Sequence, residues 1–163
     1  MCAAVALSVD GVPLQERWAC AKPYARAISY QPQSFRALPG VLDSRVGFAS
    51  PAGDEAVSIE VVQVDFDTRE IPYSRLIEHF WTLHDPTSVD RQGADVGVKY
   101  RSALFFNSAR QADDAQAAKQ QLDASGQLGK PVATVIVPLG EFQLADEEHQ
   151  QYVEKHGGSS CSI

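Results

Sequence analysis

The chain has 163 residues, the usual size of one domain with a single core, and carries 44% hydrophobic and 21% charged residues, which excludes disordered and fibrous classes. A net charge of -7, with Lys and Arg scattered singly among acids, excludes a nucleic-acid footprint. No apolar run approaches the ~20 residues that a bilayer span needs.

The apolar start, Met1 to Leu7, has no leading positive charge and soon meets Asp10, so it does not read as a secretory signal. Residues 1–22 read as an arm or edge element with a turn at Asp10-Gly11. Tyr24 to Tyr30 reads as a short strand, and Pro32 suits the first turn of a helix that carries Phe35 and Leu38 inward and stops at Pro39-Gly40. Val41 to Ala49 is extended. Ser58 to Phe66 alternates as a strand buried largely on both faces. Pro72 opens an amphipathic helix through Leu83, ended by Asp85-Pro86.

Ser102 to Phe106 reads as a central strand. Ser108 is placed to cap a helix through Leu122 that stops at Gly126, and Pro131 to Val137 is β-branched and strand-like. Ala145 to Lys155 reads as a polar helix before a Gly157-Gly158 tail. The organisation expected is an arm (1–22), one domain (23–156) and a flexible tail (157–163). Strands interleaved with helices, some joined as hairpins, predict a two-layer α+β sandwich.

Three cysteines, Cys2, Cys20 and Cys161, are too widely spaced for a disulfide framework or a zinc site, and suit free thiols in a reducing cytoplasm. No His and acid pair has metal-ligand spacing, so neither metal nor cofactor is expected. His84 is expected to pack and cap a helix end, not to act as a base.

Several ordered blocks resemble the peptide methionine sulfoxide reductase A family. They are Phe35-Arg36-Ala37-Leu38-Pro39-Gly40-Val41 with Ser44-Arg45-Val46-Gly47-Phe48, then Glu60-Val61-Val62-Gln63-Val64-Asp65-Phe66-Asp67, and Phe80-Trp81-Thr82-Leu83-His84-Asp85-Pro86-Thr87. The most specific runs from Asp90 to Ala103, and His149-Gln150-Gln151-Tyr152 and a Cys161 tail follow. The resemblance implies a ferredoxin-like α+β core. It also implies a thiolate at a helix N-terminus that attacks the sulfoxide sulfur, with a carboxylic acid and tyrosine hydroxyls to protonate the departing oxygen.

Counted back from Phe35 with the family's spacing, the nucleophile falls on Ala27 and the methyl-gripping aromatics on Ile28 and Ser29. Alanine cannot attack or accept a proton. The tyrosine that the family carries before the acidic strand also has no counterpart. Cys20, seven extended residues away, would stand roughly 23 Å from position 27, whereas Cys161 sits on a flexible tail; both remain possible redox thiols.

Glu60 matches the family's acid, and a carboxyl on a largely apolar strand suits that role. Asp95 and Tyr100 match the loop pair that orients the substrate, and Lys99 stands where the family usually has glutamine. Tyr30, beside the vacated position, and His149 complete the expected substrate-binding set. These residues predict acid–base chemistry on a small molecule (isomerase, cyclase or lyase), and the resemblance implies a monomer. The alternatives are a non-catalytic binding protein and a reductase of the S-form sulfoxide that uses Cys161 or Cys20.

Overall fold

A computed structural model describes residues 7–9, 12–21, 31–106 and 108–146, with the side chains of 33–106 and 108–146. The elements in chain order are β1 (Leu7–Val9), β2 (Val12–Ala21), α1 (Gln31–Arg36), β3 (Val41–Pro51), β4 (Ile59–Phe66) and α2 (Tyr73–Thr82). A small hairpin of β5 (Arg91–Gln92) and β6 (Asp95–Val96) follows, then a 3₁₀ turn (Val98–Tyr100), β7 (Ala103–Phe106), α3 (Ala109–Ala124) and β8 (Val135–Leu144).

The architecture is α+β, as expected. Six strands run in the order β1-β2-β4-β3-β8-β7, and the sheet curls until β7 also pairs with β2. β3 and β4 form an antiparallel hairpin, whereas β7 and β8 are parallel and joined through α3, the connection that a parallel pair requires. The segment expected as an arm or edge element supplies β2, which pairs with β4 on one side and with β7 on the other: Cys20 stands opposite Val62 and Leu104. Its polar Gln15-Glu16-Arg17 run hides this placement from any alternation count.

β4 is the middle of the core. Ile59, Val61, Val62, Gln63, Val64 and Phe66 are all buried, so both faces of the strand are covered. Each such apolar side chain contributes about 1.5–3 kcal/mol on burial. α2 adds Tyr73, Leu76, Ile77 and Phe80 at helical spacing, with Phe66 stacked on Tyr73. α3 is polar and buries only Gln111 and Ala115; Ser108 caps it by accepting from the Gln111 amide. Gly47 of β3 must be glycine, because a Cβ there would lie 2.2 Å from the Phe142 ring.

β8 corrects the expected strand over Pro131 to Val137. It starts at Val135 and runs on through Pro138 and Gly140 to Leu144. Both residues read as strand breakers, yet the β3–β8 ladder is irregular between Ala49 and Pro51, and the Pro138 carbonyl accepts from the Ala52 amide. The expected strand from Tyr24 to Tyr30 and the body of the expected terminal helix lie outside the described residues.

His84 ties α2 to the sheet. In its neutral form the Nδ1–H donates to the Phe80 carbonyl (3.0 Å) while Nε2, 2.7 Å from Ser102 Oγ, accepts the serine proton. Ser102 in turn lies 2.8 Å from Thr134 Oγ1, which takes the Trp81 Nε1–H at 3.1 Å. Desolvation in this chain lowers the His84 pKa from 6.5 to about 4.

Between those two values the unfolded chain binds the extra proton, so the contribution of His84 to stability is complete above pH 6.5 and is lost as pH falls toward 4. The loss should reach about 3 kcal/mol. Urea unfolding from pH 7 to pH 4 should show it, and His84→Gln should flatten that slope while lowering stability at pH 7. An unchanged slope in the variant would remove His84 as its cause.

Candidate functional site

Glu60 lies near the start of β4, half-buried, as Asp65 is near its end, on a strand whose other residues are buried. In the β3–β4 ladder its partner is Phe48, an aromatic that is 42% exposed although the sheet around it is buried. On the other side, β2 pairs Ala21 with Val61 and Cys20 with Val62. Cys20 therefore stands one strand over and two ladder positions from Glu60.

The segment between α2 and β7 meets β4 through its 3₁₀ turn, which carries Lys99 and Tyr100. The segment is held by local chemistry at each end. At its start the Asp85 carboxylate accepts from the Thr87 amide and hydroxyl and from the Ser88 hydroxyl, and these bonds lower its pKa. Buried Gln92 donates from Nε2 to the Asp85 carbonyl at 2.9 Å, fixing β5.

Asp90 then takes a left-handed backbone (φ 46°), a conformation that aspartate tolerates better than most residues. Its Oδ1 receives Arg101 through Nε (2.9 Å) and NH2 (2.8 Å), and its carbonyl accepts from the Gly97 amide (2.8 Å). Arg101 follows the 3₁₀ turn directly, so this pair clamps the two ends of the loop that presents Asp95, Lys99 and Tyr100.

Of the residues singled out by sequence, Glu60 lies on β4, and Lys99 and Tyr100 lie on the 3₁₀ turn that packs against that strand. Asp95 is half-buried on β6, paired with Gln92. Lys99 Nζ stands 4.9 Å from the centre of the Tyr100 ring. Cys20 is on β2. Ala27, Ile28, Ser29, Tyr30, His149 and Cys161 lie outside the described residues.

Three features escaped the sequence reading: Phe48 as the ladder partner of Glu60, the Asp90–Arg101 clamp, and Gln92 as an anchor. The left-handed aspartate between loop residues carries no single-sequence signal, although the Asp90 to Ala103 block contains it. Among the described residues no three His, Cys, Asp or Glu side chains could hold a metal ion, and no helix is long and apolar enough to cross a membrane.

The family model described as peptide methionine sulfoxide reductase matches residues 31–163. The chain is similar to a protein of Methanoculleus marisnigri named peptide methionine sulfoxide reductase MsrA, 40% identical over 139 residues that cover 79% of this chain and 85% of the relative. Among solved structures, methionine sulfoxide reductase A of Corynebacterium diphtheriae superimposes with a TM-score of 0.71 at 29% identity, covering 99% of this chain and 84% of the other. Reduced Mxr1 from Saccharomyces cerevisiae gives a TM-score of 0.76 at 25% identity, over 91% and 89% of the two chains.

These likenesses overturn the expectation of a repurposed isomerase, cyclase or lyase, because relatives at about 40% identity over most of the chain are named as sulfoxide reductases. They lend nothing to the non-catalytic binding protein either. The count that put the nucleophile on Ala27 started inside the matched stretch and ran out of it, since the match begins at Gln31. Position 27 therefore lies outside the stretch that the family model matches.

The clamp itself is testable. Arg101→Gln should leave global stability within about 1 kcal/mol, as for other partly exposed ion pairs, while speeding amide hydrogen exchange across residues 93–100. Exchange that stays as slow as in the wild type would show that the loop is held by something else.

Proposed function

The chain belongs to the peptide methionine sulfoxide reductase family, and from that premise we propose that it catalyses ordinary thiol-dependent reduction of methionine sulfoxide, with Cys20 as the attacking thiol and Glu60 as the acid. The observation that supports this reading is the register of β2, which stands Cys20 two ladder positions from Glu60.

The reaction is then as follows. The Cys20 thiolate attacks the sulfoxide sulfur as Glu60 delivers a proton to the oxygen. The sulfur–oxygen bond breaks, methionine leaves as the thioether, and the oxygen ends on Cys20 as a sulfenic acid. Two electrons have passed from the cysteine to the substrate. A second thiol condenses with the sulfenic acid to release water and form a disulfide, and an external dithiol restores the enzyme.

Within this reading the side chain of Tyr100 donates a hydrogen bond to the departing oxygen and Asp95 holds the substrate end of the loop. The remaining parts of the set, positions 27–30 with Ala27, Ile28, Ser29 and Tyr30, and His149, are assigned to substrate binding. Cys161 is the second thiol. We assign the protein to the cytoplasm, where such thiols stay reduced, and as a monomer with no resident cofactor.

The test is reduction of both diastereomers of methionine sulfoxide, free and in a peptide, with dithiothreitol. The S-form should turn over, Cys20→Ser should abolish turnover, and Cys161→Ser should retain it because dithiothreitol replaces the second thiol. Glu60→Gln should lower kcat by about 10²–10⁴-fold. Full activity in Cys20→Ser would remove that residue from the mechanism, and no turnover of either form by the wild type would overturn the reading.

A further inference from the structure

The loop from Val89 to Arg101 differs in two ways from the surface around it. First, it exposes apolar side chains that serve no core: Val89 (72% exposed), Val96 (71%) and Val98 (40%). Second, in a chain of net charge -7 it is cationic, with Arg91, Lys99 and Arg101 against Asp90 and Asp95.

Only Arg101 among these cations is joined to a carboxylate among the described residues. Arg91 donates to the Gly93 carbonyl, and Lys99 leans on the Tyr100 ring. The β5–β6 pairing stands Arg91 opposite Val96, so charge and apolar surface are adjacent. An ammonium held over an aromatic ring remains open to an anion on its outer side.

We propose that this loop is the docking rim for the peptide on either side of the oxidised methionine, and that Lys99 selects an acidic side chain next to it. The inference rests on the reductase reading above. The valines offer an apolar strip to an extended peptide. The 3₁₀ turn packs on β4, the strand that carries Glu60, so a peptide whose oxidised methionine is held at that strand runs toward the turn of Lys99, each extended residue advancing the chain about 3.3 Å. The charge complementarity names the occupant: aspartate or glutamate beside methionine sulfoxide, and not lysine or arginine.

The experiment compares three acetylated peptides with Glu, Gly or Lys beside methionine sulfoxide, in the wild type, Lys99→Gln and Lys99→Glu, at low and high salt. The readout is the ratio of kcat/KM between the Glu and Lys peptides, whatever the absolute rates become. In the wild type the Glu peptide should lead by about fivefold at low salt, as exposed charge pairs allow. High salt should shrink that ratio, Lys99→Gln should bring it near one, and Lys99→Glu should invert it.

Equal use of the Glu and Lys peptides by the wild type, or a preference that survives in Lys99→Glu, would overturn the proposal while turnover of the Gly peptide keeps the reductase reading standing. If no peptide turns over, the reductase reading falls. Calorimetric binding of the same peptides then decides the rim: tighter binding of the Glu peptide that is lost in Lys99→Gln supports it, and no charge preference overturns it.

Discussion

Strand β4 is hydrogen-bonded along both edges and covered on both faces, and the arrangement of the site depends on that double enclosure. A strand in this position cannot shift by one residue without turning its whole set of buried side chains over. Its register is therefore fixed by the core, from Ile59 to Phe66. Glu60 inherits that fixity. Phe48 on one neighbour and Cys20 on the other take their places relative to Glu60 from ladders of eight and six paired residues. The chemistry proposed for the site needs a proton donor and a thiol at constant separation, and a closed ladder supplies constant separation better than a loop does.

The second constraint is the pinning of residues 85–102. Asp85 is bound to Thr87 and Ser88, and its carbonyl takes Gln92; at the far end Ser102 is bound to His84 and Thr134. Between these ends Asp90 and Arg101 close the loop on itself. His84 and Asp85 adjoin in sequence, so the same helix end anchors both termini of the segment. A loop held this way can expose valines and a lysine that leans on a neighbouring ring without collapsing onto the core, because its backbone is satisfied locally rather than by burying those side chains.

Much of this was legible in the sequence. β4 announces itself by its apolar run, α2 by Leu76, Ile77 and Phe80 at helical spacing, and α3 by Ser108 at its cap. These are local signals, set by period and by capping chemistry. What was not legible is set by distant partners. β2 carries charged residues at Glu16 and Arg17, yet Arg17 pairs in register with Asp65 and Glu16 with Phe66, so its place is decided by β4. The far half of β8 holds Pro138 and Gly140, tolerated through an irregular ladder that one sequence cannot reveal. Glu60, Asp95, Lys99 and Tyr100 are named as candidates through motif resemblance, whereas Phe48 as the ladder partner of Glu60 follows only from strand pairing.

The same distinction explains why Cys20 looked remote. Along the chain it is seven residues from position 27, and an extended path makes that a long way. Across the sheet the separation that counts is one strand spacing, about 4.8 Å, plus two residues along β4. The count that leads to position 27 starts at Phe35, inside the stretch that matches the family, and passes its first residue, Gln31. In the reaction proposed for this chain the acid, Glu60, is held by its own strand and does not depend on that count. The thiol taken to work with it is the one whose strand lies against β4, which by register is β2.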